Sequence, residues 1–411
     1  MFSFRTTPLL EQTDTILRSG RLGLFCNQTS WHPENGEYLY ETLFNKGLLK
    51  RVFVPEEGLF GEYSEFKLKD NEFPYNNICL NKCGFESLYK IAADSVIINS
   101  DKLKDLDGLI IDLQDTGVRY SRFNSVLSAL FLTLKKRNIN LSVYIIDRLN
   151  PLGRQVEGTM LRKEYQSSSG VEGIPHRHGL TLGELANLLY NEQNDKFPLH
   201  IISSNAELVS KSLLPWSIPP DNDMPGLFSP FFYAGQYLWC VTNVSGGRGT
   251  LRPFEQFGAP FMSSLTDYNI RNGFRNWNDP GHPLYDPAVY IRWQRFIPSS
   301  GKYKGELCFG FQLHPVPGVQ YHSLAHNLRI MRFTVENCRE FSFAPIATGE
   351  SVKGTKRGAA ELILGDKILL DYTQGKLDWI EAKEHIKVEE QKWIRKARKF
   401  LLYDDQLFRC K

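Results

Sequence analysis

A chain of 411 residues with 49 lysines and arginines against 46 acids carries a net charge of only +3, so composition makes no general electrostatic case for nucleic acid or an anionic membrane. The length allows a substantial core and predicts two domains, and no apolar run approaches a membrane span. Seven scattered cysteines, an odd number, do not form a disulfide framework, and Cys79 and Cys83 lack the second pair that a zinc pattern needs.

The N-terminal MFSFRTTPLLEQTDTILRSG has neither the sustained apolar stretch nor the small-residue cleavage site of a signal peptide. With cysteine usage that suits a reducing compartment, it predicts a cytoplasmic protein; export stays open if a leader has been removed. Thr7-Pro8, followed by Leu9, Leu10, Ile16 and Leu17, predicts a capped helix. Residues 21–26 (RLGLFC) read as a first strand ending in Asn27-Gln28-Thr29-Ser30. Val52, Phe53 and Val54 read as a second, ending in Pro55-Glu56-Glu57-Gly58.

The stretch 108–123, GLIIDLQDTGVRYSRF, is the one around which the chain is organised. Its nearly continuous apolar run suits a strand buried on both faces, as in a parallel sheet. It breaks into Gln114, Asp115, Thr116, Gly117 and Arg119. From Phe123 the period becomes helical, with Lys135, Lys136 and Arg137 complementing the helix C-terminus. Residues 141–146 (LSVYII) give a fourth strand, ending in Asp147-Arg148-Leu149-Asn150-Pro151. If the four strands lie parallel, Asn27, Glu56, Glu57, Gln114, Asp115, Arg119, Asp147 and Arg148 converge on one rim, where open α/β sheets bind ligands.

Residues 155–179 form a polar stretch containing Glu157, Glu172 and His176-Arg177-His178. Thr181 and Glu184 make a capping box for the next helix. Residues 200–203 suggest a further strand. The proline-rich 214–231 predicts a long ordered loop that buries Trp216, Met224 and Phe228. Residues 237–242 predict another strand, leading into the turn 243–250 (NVSGGRGT). Beyond about Pro260 the texture changes: 307–313 reads as a strand, and 358–364 and 379–403 as helices. The basic run 392–396 reads as a solvated helix face.

The motifs narrow the chemistry. No GxGxxG follows the first strand, and Gly349–Lys356 has the wrong order for a phosphate loop. The GGRG at 246–249 is a candidate anion nest because of Arg248, although a structural turn is the commoner reading. His176 and His178 lack metal-ligand spacing and suit hydrogen bonding around a helix start. There is no nucleophile elbow. Glycoside hydrolysis needs two carboxyl groups, one on the leaving oxygen and one assisting attack. Glu56 is placed for such work, though from the residues alone a salt bridge to Arg119 or Arg148 is the commoner reading. Asp112, inside an apolar run, needs a hydrogen-bonded structural role.

One series of motifs goes further: NQTS (27–30), VPEEGLFG (54–61), DLQDTGVRY (112–120), DRLNPLG (147–153), VEGTML (156–161), IPHRHGLTLGELA (174–186), NDMPG (222–226) and TNVSGGRGTLRPFEQFGAPF (242–261). In this order it resembles the NamZ-type exo-β-N-acetylmuramidases, from about residue 10 to 265 and more weakly to the C-terminus. The resemblance implies an α/β fold: a Rossmann-like, mainly parallel sheet with helices on both faces, plus a smaller α+β C-terminal domain. We expect the division at 1–260 and 261–411, with the cleft between. It implies release of N-acetylmuramic acid from the non-reducing end of peptidoglycan fragments, in recycling or scavenging of the bacterial wall, without metal or other cofactor. Glu56 and Glu157 match the family's acids and are the expected catalytic pair. Asn27, Glu57, Gln114, Asp115, Arg119, Arg148, Glu172, His178, Asn243 and Arg248 are the expected substrate-binding set, and an arginine fork suits the lactyl carboxylate of muramic acid.

The sequence also departs from the family pattern. Glu57 stands in place of a usual His, Cys240 and Gly246 in place of acids, and Ser121-Arg122-Phe123 in place of a more aromatic run. A catalytically silent sugar-binding homologue, or a glycosidase of shifted amino-sugar specificity, is therefore the alternative reading.

Overall fold

Alternate side chains of the strand Gly108–Asp112 leave to opposite faces. Leu109 and Ile111 enter one apolar layer with Phe25, Phe53, Val143 and Ile201, while Ile110 enters another with Leu24, Val52, Tyr144 and Ile202. Burial on both sides is what an unbroken apolar run encodes. The computed structural model describes residues 1–5, 7–32, 35–62, 85–92, 95–203, 219–220, 224–226, 228–265, 277–343 and 358–403.

Seven parallel strands form the main sheet in the order Phe2–Arg5, Leu199–Ser203, Ser142–Asp147, Gly108–Asp112, Leu22–Cys26, Leu49–Val54, Phe85–Ser87. The four strands read from the sequence stand side by side at its centre. From Leu22–Cys26 the chain steps outward one way, then returns to its other flank with Gly108–Asp112 and steps outward the other way. The reversal lies between these two strands, and their carboxyl ends are Asn27 and Leu113. Helix Arg122–Arg137 and helix Leu182–Glu192 cover one face; helix Leu39–Asn45 covers the other.

A second core surrounds a three-stranded antiparallel sheet, in which Cys308–Pro315 lies between Gln256–Ala259 and Val289–Phe296. Helices Ser229–Gln236, Ser323–Asn337, Ala359–Leu364 and Lys367–Thr373 pack with it. Gln256–Ala259, before the expected 260/261 boundary, thus pairs with a strand beyond it. The long helix Trp379–Ala397 joins both parts: Ala382 and Ile386 enter the second core, and Trp393 and Ala397 the first. Its basic run is a solvated face, with Lys392 and Arg395 exposed around buried Trp393.

Some expectations are corrected. The N-terminal segment is a strand, Phe2–Arg5, followed by short 3-10 turns at Leu9–Glu11 and Ile16–Arg18 instead of one helix. Gln12, extended at ψ 140°, ends the first turn, and strand Phe2–Arg5 before it pairs with Leu199–Ser203. Residues 237–241 are a 3-10 continuation of helix Ser229–Gln236, not a strand. The carbonyls at the end of that turn are satisfied by the Lys302 ammonium, which donates to Trp239 (2.7 Å), Cys240 (3.1 Å), Thr242 and Val244 (3.2 Å). The same helix replaces the end of the expected loop 214–231. Met224 is buried as expected, Phe228 is 48% exposed, and Trp216 lies outside the described residues.

Candidate active site

Asp112 closes its strand with no exposure to solvent, and a buried carboxylate needs donors. Ser30 Oγ donates to its Oδ2 at 2.6 Å, and Arg148 donates to Oδ1 through Nε (3.1 Å) and Nη2 (2.6 Å). The structural role expected for Asp112 is thus observed, and it fixes an arginine at the rim. His32 Nε2 stands 4.0 Å from Oδ2, with 43% of its side chain exposed.

Asn27 and Gln114 stitch the loops at the reversal point together. Asn27 Oδ1 accepts from the Thr29 amide and hydroxyl at 3.1 and 2.6 Å, capping the turn Gln28–Ser30, and its Nδ2 donates to the Pro220 carbonyl at 3.3 Å. The Gln114 amide donates to Thr29 Oγ1 at 3.2 Å, and its Nε2 donates to the Asp115 and Leu149 carbonyls, both at 2.9 Å. Both residues are buried. Their direct work is to hold the rim's shape.

The next strand outward delivers Glu56 and Glu57. Gly58, at φ +90°, supplies the turn, and its amide donates to the Pro55 carbonyl at 3.0 Å. Glu56 Oε1 accepts from the Ile91 amide at 2.9 Å, and Oε2 lies 3.4 Å from Arg122 Nη1, which also pairs with Glu57. All three side chains remain open to solvent. Partial burial lowers the pKa of Arg122, but Glu57, Tyr89 and Glu56 together raise it above the ordinary arginine value. Arg122 is the residue that sequence reasoning missed. Its signal was its place at the start of the helix after the polar turn, in a triplet departing from the family pattern.

Other expected site residues lie deeper. Asp115 accepts from the Gly117 amide at 2.8 Å and lies 3.2 Å from His178 Nε2; both residues are buried, and Asp115 Oδ1 has no hydrogen-bond partner among the described residues. His178 Nδ1 accepts from the Leu180 amide at 3.2 Å, the bond near a helix start expected of it. Arg119 is 1% exposed and does not face the rim. It donates to the Thr159 carbonyl at 2.9 Å and caps helix Ala359–Leu364 through the Ile363 (2.6 Å) and Leu364 (2.9 Å) carbonyls. Burial lowers its pKa to about 10.

Glu157 has no exposed surface. Its Oε1 accepts from Arg177 at 2.6 Å, its Oε2 accepts from the Leu324 amide at 2.9 Å, and His322 Nδ1 lies 3.4 Å from Oε2. Glu56, by contrast, is held by the Ile91 amide and Arg122. Glu172 is exposed on a turn. Asn243 Nδ2 donates to the Glu340 carbonyl at 2.7 Å, and its Oδ1 accepts from the Ser342 amide at 2.9 Å, a tie within the second core. Arg248 is exposed on a structural turn, whose Gly247 at φ +78° leaves no room for a Cβ against Gln256 and Arg252. Among the described residues, no group of three or more His, Cys, Asp or Glu side chains is placed to hold a metal ion, and no helix is long and apolar enough to cross a membrane.

Known proteins share both this sequence pattern and this fold. Residues 22–225 match a family described as exo-β-N-acetylmuramidase NamZ, N-terminal, and residues 231–403 match its C-terminal counterpart. The peptidoglycan β-N-acetylmuramidase NamZ of Bacillus subtilis (strain 168) is 29% identical over 349 residues, covering 83% of this chain and 79% of that one. Two solved DUF1343-family proteins of Bacteroides fragilis NCTC 9343 share the fold. One has a TM-score of 0.68 at 22% identity, covering 93% of this chain and 94% of its own; the other has 0.66 at 21%, covering 96% and 97%.

Proposed function

The chain belongs to the exo-β-N-acetylmuramidase NamZ family, and on that premise we propose that it is a glycoside hydrolase releasing N-acetylmuramic acid from the non-reducing end of peptidoglycan fragments, by side-chain carboxyl chemistry and without a metal. The observation that carries this reading is the solvent-open trio of Glu56, Glu57 and Arg122 at the carboxyl end of a central parallel strand, one strand from the topological reversal.

Glu56 is the proposed general acid and base: its carboxyl proton passes to the glycosidic oxygen as the C1–O bond breaks, water adds to C1, and the carboxylate takes up the proton that the water loses. The Ile91 amide and Arg122 fix its carboxyl, so little reorganisation accompanies proton transfer. Glu57 shares the guanidinium and balances its charge. Glu157, closed to solvent, is proposed as a positioning residue that locks residues 156–158 to Arg177 and to the start of helix Ser323–Asn337. Asn27 and Gln114 hold the loops of the rim in shape. We propose the joint between the rim-bearing unit and the auxiliary unit at 225–231, since strand Gln256–Ala259 belongs to the second sheet.

The test is hydrolysis of a chromogenic β-N-acetylmuramic acid glycoside beside its N-acetylglucosamine counterpart. Release from the muramic substrate alone is expected. Release from the glucosamine substrate alone would move the specificity. Silence with both would leave a sugar-binding homologue, the reading that the departures at Glu57, Cys240 and Gly246 favour.

A further inference from the structure

Muramic acid differs from glucosamine by a lactyl ether whose carboxylate is anionic at neutral pH, and a buried or half-buried site recognises such a group best with an arginine fork. The expected set offers three arginines, and the structure adds a fourth. Arg119 is closed to solvent and its donors are occupied by carbonyls and His176. Arg122 faces Glu56 and Glu57, so an incoming anion would meet two carboxylates. Arg248 stands on an exposed turn after the second core's 3-10 segment, with no buried carboxylate described behind it.

Arg148 differs from all three. Its side chain is 22% exposed, and Nε and Nη2 both donate to one oxygen of Asp112, while Nη1 has no partner among the described residues. The fork is held from behind by a carboxylate that is itself closed to solvent and fixed by Ser30. Its free edge is therefore aimed without a further loss of rotamer freedom. His32, leaning on the other oxygen of Asp112, brings a second nitrogen donor to the same place.

Spacing agrees with this position. The strand that carries Asp112 and the strand that leads to Glu56 flank Leu22–Cys26 on either side, two strand spacings or about 10 Å apart. That spacing is about the width of one sugar ring, which would place the anomeric oxygen toward Glu56 and the lactyl group toward Arg148. We propose that Arg148, held by Asp112 and assisted by His32, reads the substrate's lactyl carboxylate and so sets the preference for muramic acid over glucosamine. This rests on the glycosidase reading above and adds the identity of the anion subsite.

The experiment compares the chromogenic muramic acid glycoside with its methyl ester, using the full chain and its R148K and R148Q variants, with thermal unfolding followed in parallel. The intact chain should favour the acid. R148Q should lose roughly 10- to 100-fold in kcat/KM on the acid, chiefly through KM, with little change on the ester. R148K, which keeps the charge but not the fork, should fall between. Since R148Q leaves the buried Asp112 carboxylate without its guanidinium, the double variant D112N/R148Q removes both charges and should show the same loss of acid preference. An acid preference retained in R148Q, or in the double variant if R148Q does not fold, overturns the proposal. If the intact chain cleaves neither substrate, the glycosidase reading fails and free N-acetylmuramic acid is titrated against N-acetylglucosamine. Tighter binding of the acid that is lost with R148Q supports the subsite, and equal or absent binding overturns it.

Discussion

The hydroxyl of Tyr403 donates to Oδ2 of Asp147 at 2.8 Å, so the C-terminal tail closes over the carboxyl end of a central strand 256 residues earlier in the chain. Thr181 Oγ1 (2.7 Å) and the Gly183 amide (2.8 Å) also donate to it, at the start of helix Leu182–Glu192. Strand, helix and tail therefore meet on one buried carboxyl group. Removing one donor from such a group costs about 1–3 kcal/mol. Tyr403→Phe is expected to lower stability by that amount in denaturant unfolding, with kcat unchanged.

The same carboxyl predicts a pH dependence. Burial first, and then the Glu184 carboxylate, raise the Asp147 pKa to about 7, against Gly183, Thr181 and Tyr403, which lower it. The raised folded value means the folded state favours the protonated form. The stability this adds is full below the unfolded carboxylate range, near pH 4, and is lost as pH rises through about 7. Asp147→Asn removes the titration. Melting temperatures of the two proteins from pH 4 to 8 should therefore draw together, or cross, as pH rises; a constant difference would show that Asp147 does not titrate in this window.

Glu56 and Glu157 separate chemistry from packing. Glu56→Gln keeps the shape of a side chain that is 35% exposed, so unfolding should move by under about 1 kcal/mol. Turnover of the muramic glycoside should fall by roughly 10²- to 10⁴-fold. Full activity in that variant would remove Glu56 from the mechanism.

Glu157→Gln should behave in the opposite way. It strands the Arg177 guanidinium, which is buried and paired with Glu157 at 2.6 Å, and breaking a buried pair costs about 3–5 kcal/mol. The loss should appear in unfolding, and activity measured well below the melting transition should persist. A fold of normal stability with no turnover would return Glu157 to the catalytic pair.

Arg119 gives a further test of the joint between the two parts. Arg119→Met removes the donors that satisfy the Ile363 and Leu364 carbonyls at the end of helix Ala359–Leu364. Each buried carbonyl left bare costs about 1–3 kcal/mol. Proteolysis of the native protein should then cut earlier near that helix than in the unaltered chain, while the chemistry at Glu56 is retained.

Much of the fold was legible from local pattern. The apolar runs ending in polar clusters at Asn27, Glu56, Gln114 and Arg148 are the four adjacent central strands, because an unbroken apolar strand has no stable place except between two helical layers. The capping box at Thr181 and Glu184 forms as read, the Thr181 hydroxyl accepting from the Glu184 amide at 3.2 Å and the Glu184 carboxylate accepting from the Thr181 amide at 3.0 Å. The N-terminal strand was not legible, since its partner lies nearly 200 residues away. The turn at 237–241 was misread because its length and aromatic content suit a strand, while the preceding helix and Lys302 decide otherwise.

Sequence by itself determined the α/β class, the polar rim and the family motifs, for these depend on residue type, period and order along the chain. Which of the rim's charges reach solvent was decided by tertiary structure alone. Arg119, Arg122 and Arg148 are equivalent as letters. Arg119 is buried against the end of a helix more than 240 residues later, Arg122 is drawn to the acids at 56 and 57, and Arg148 is held open by the buried Asp112. A charge's role depends on its partners and on the water left around it, and folding sets both by bringing distant segments together.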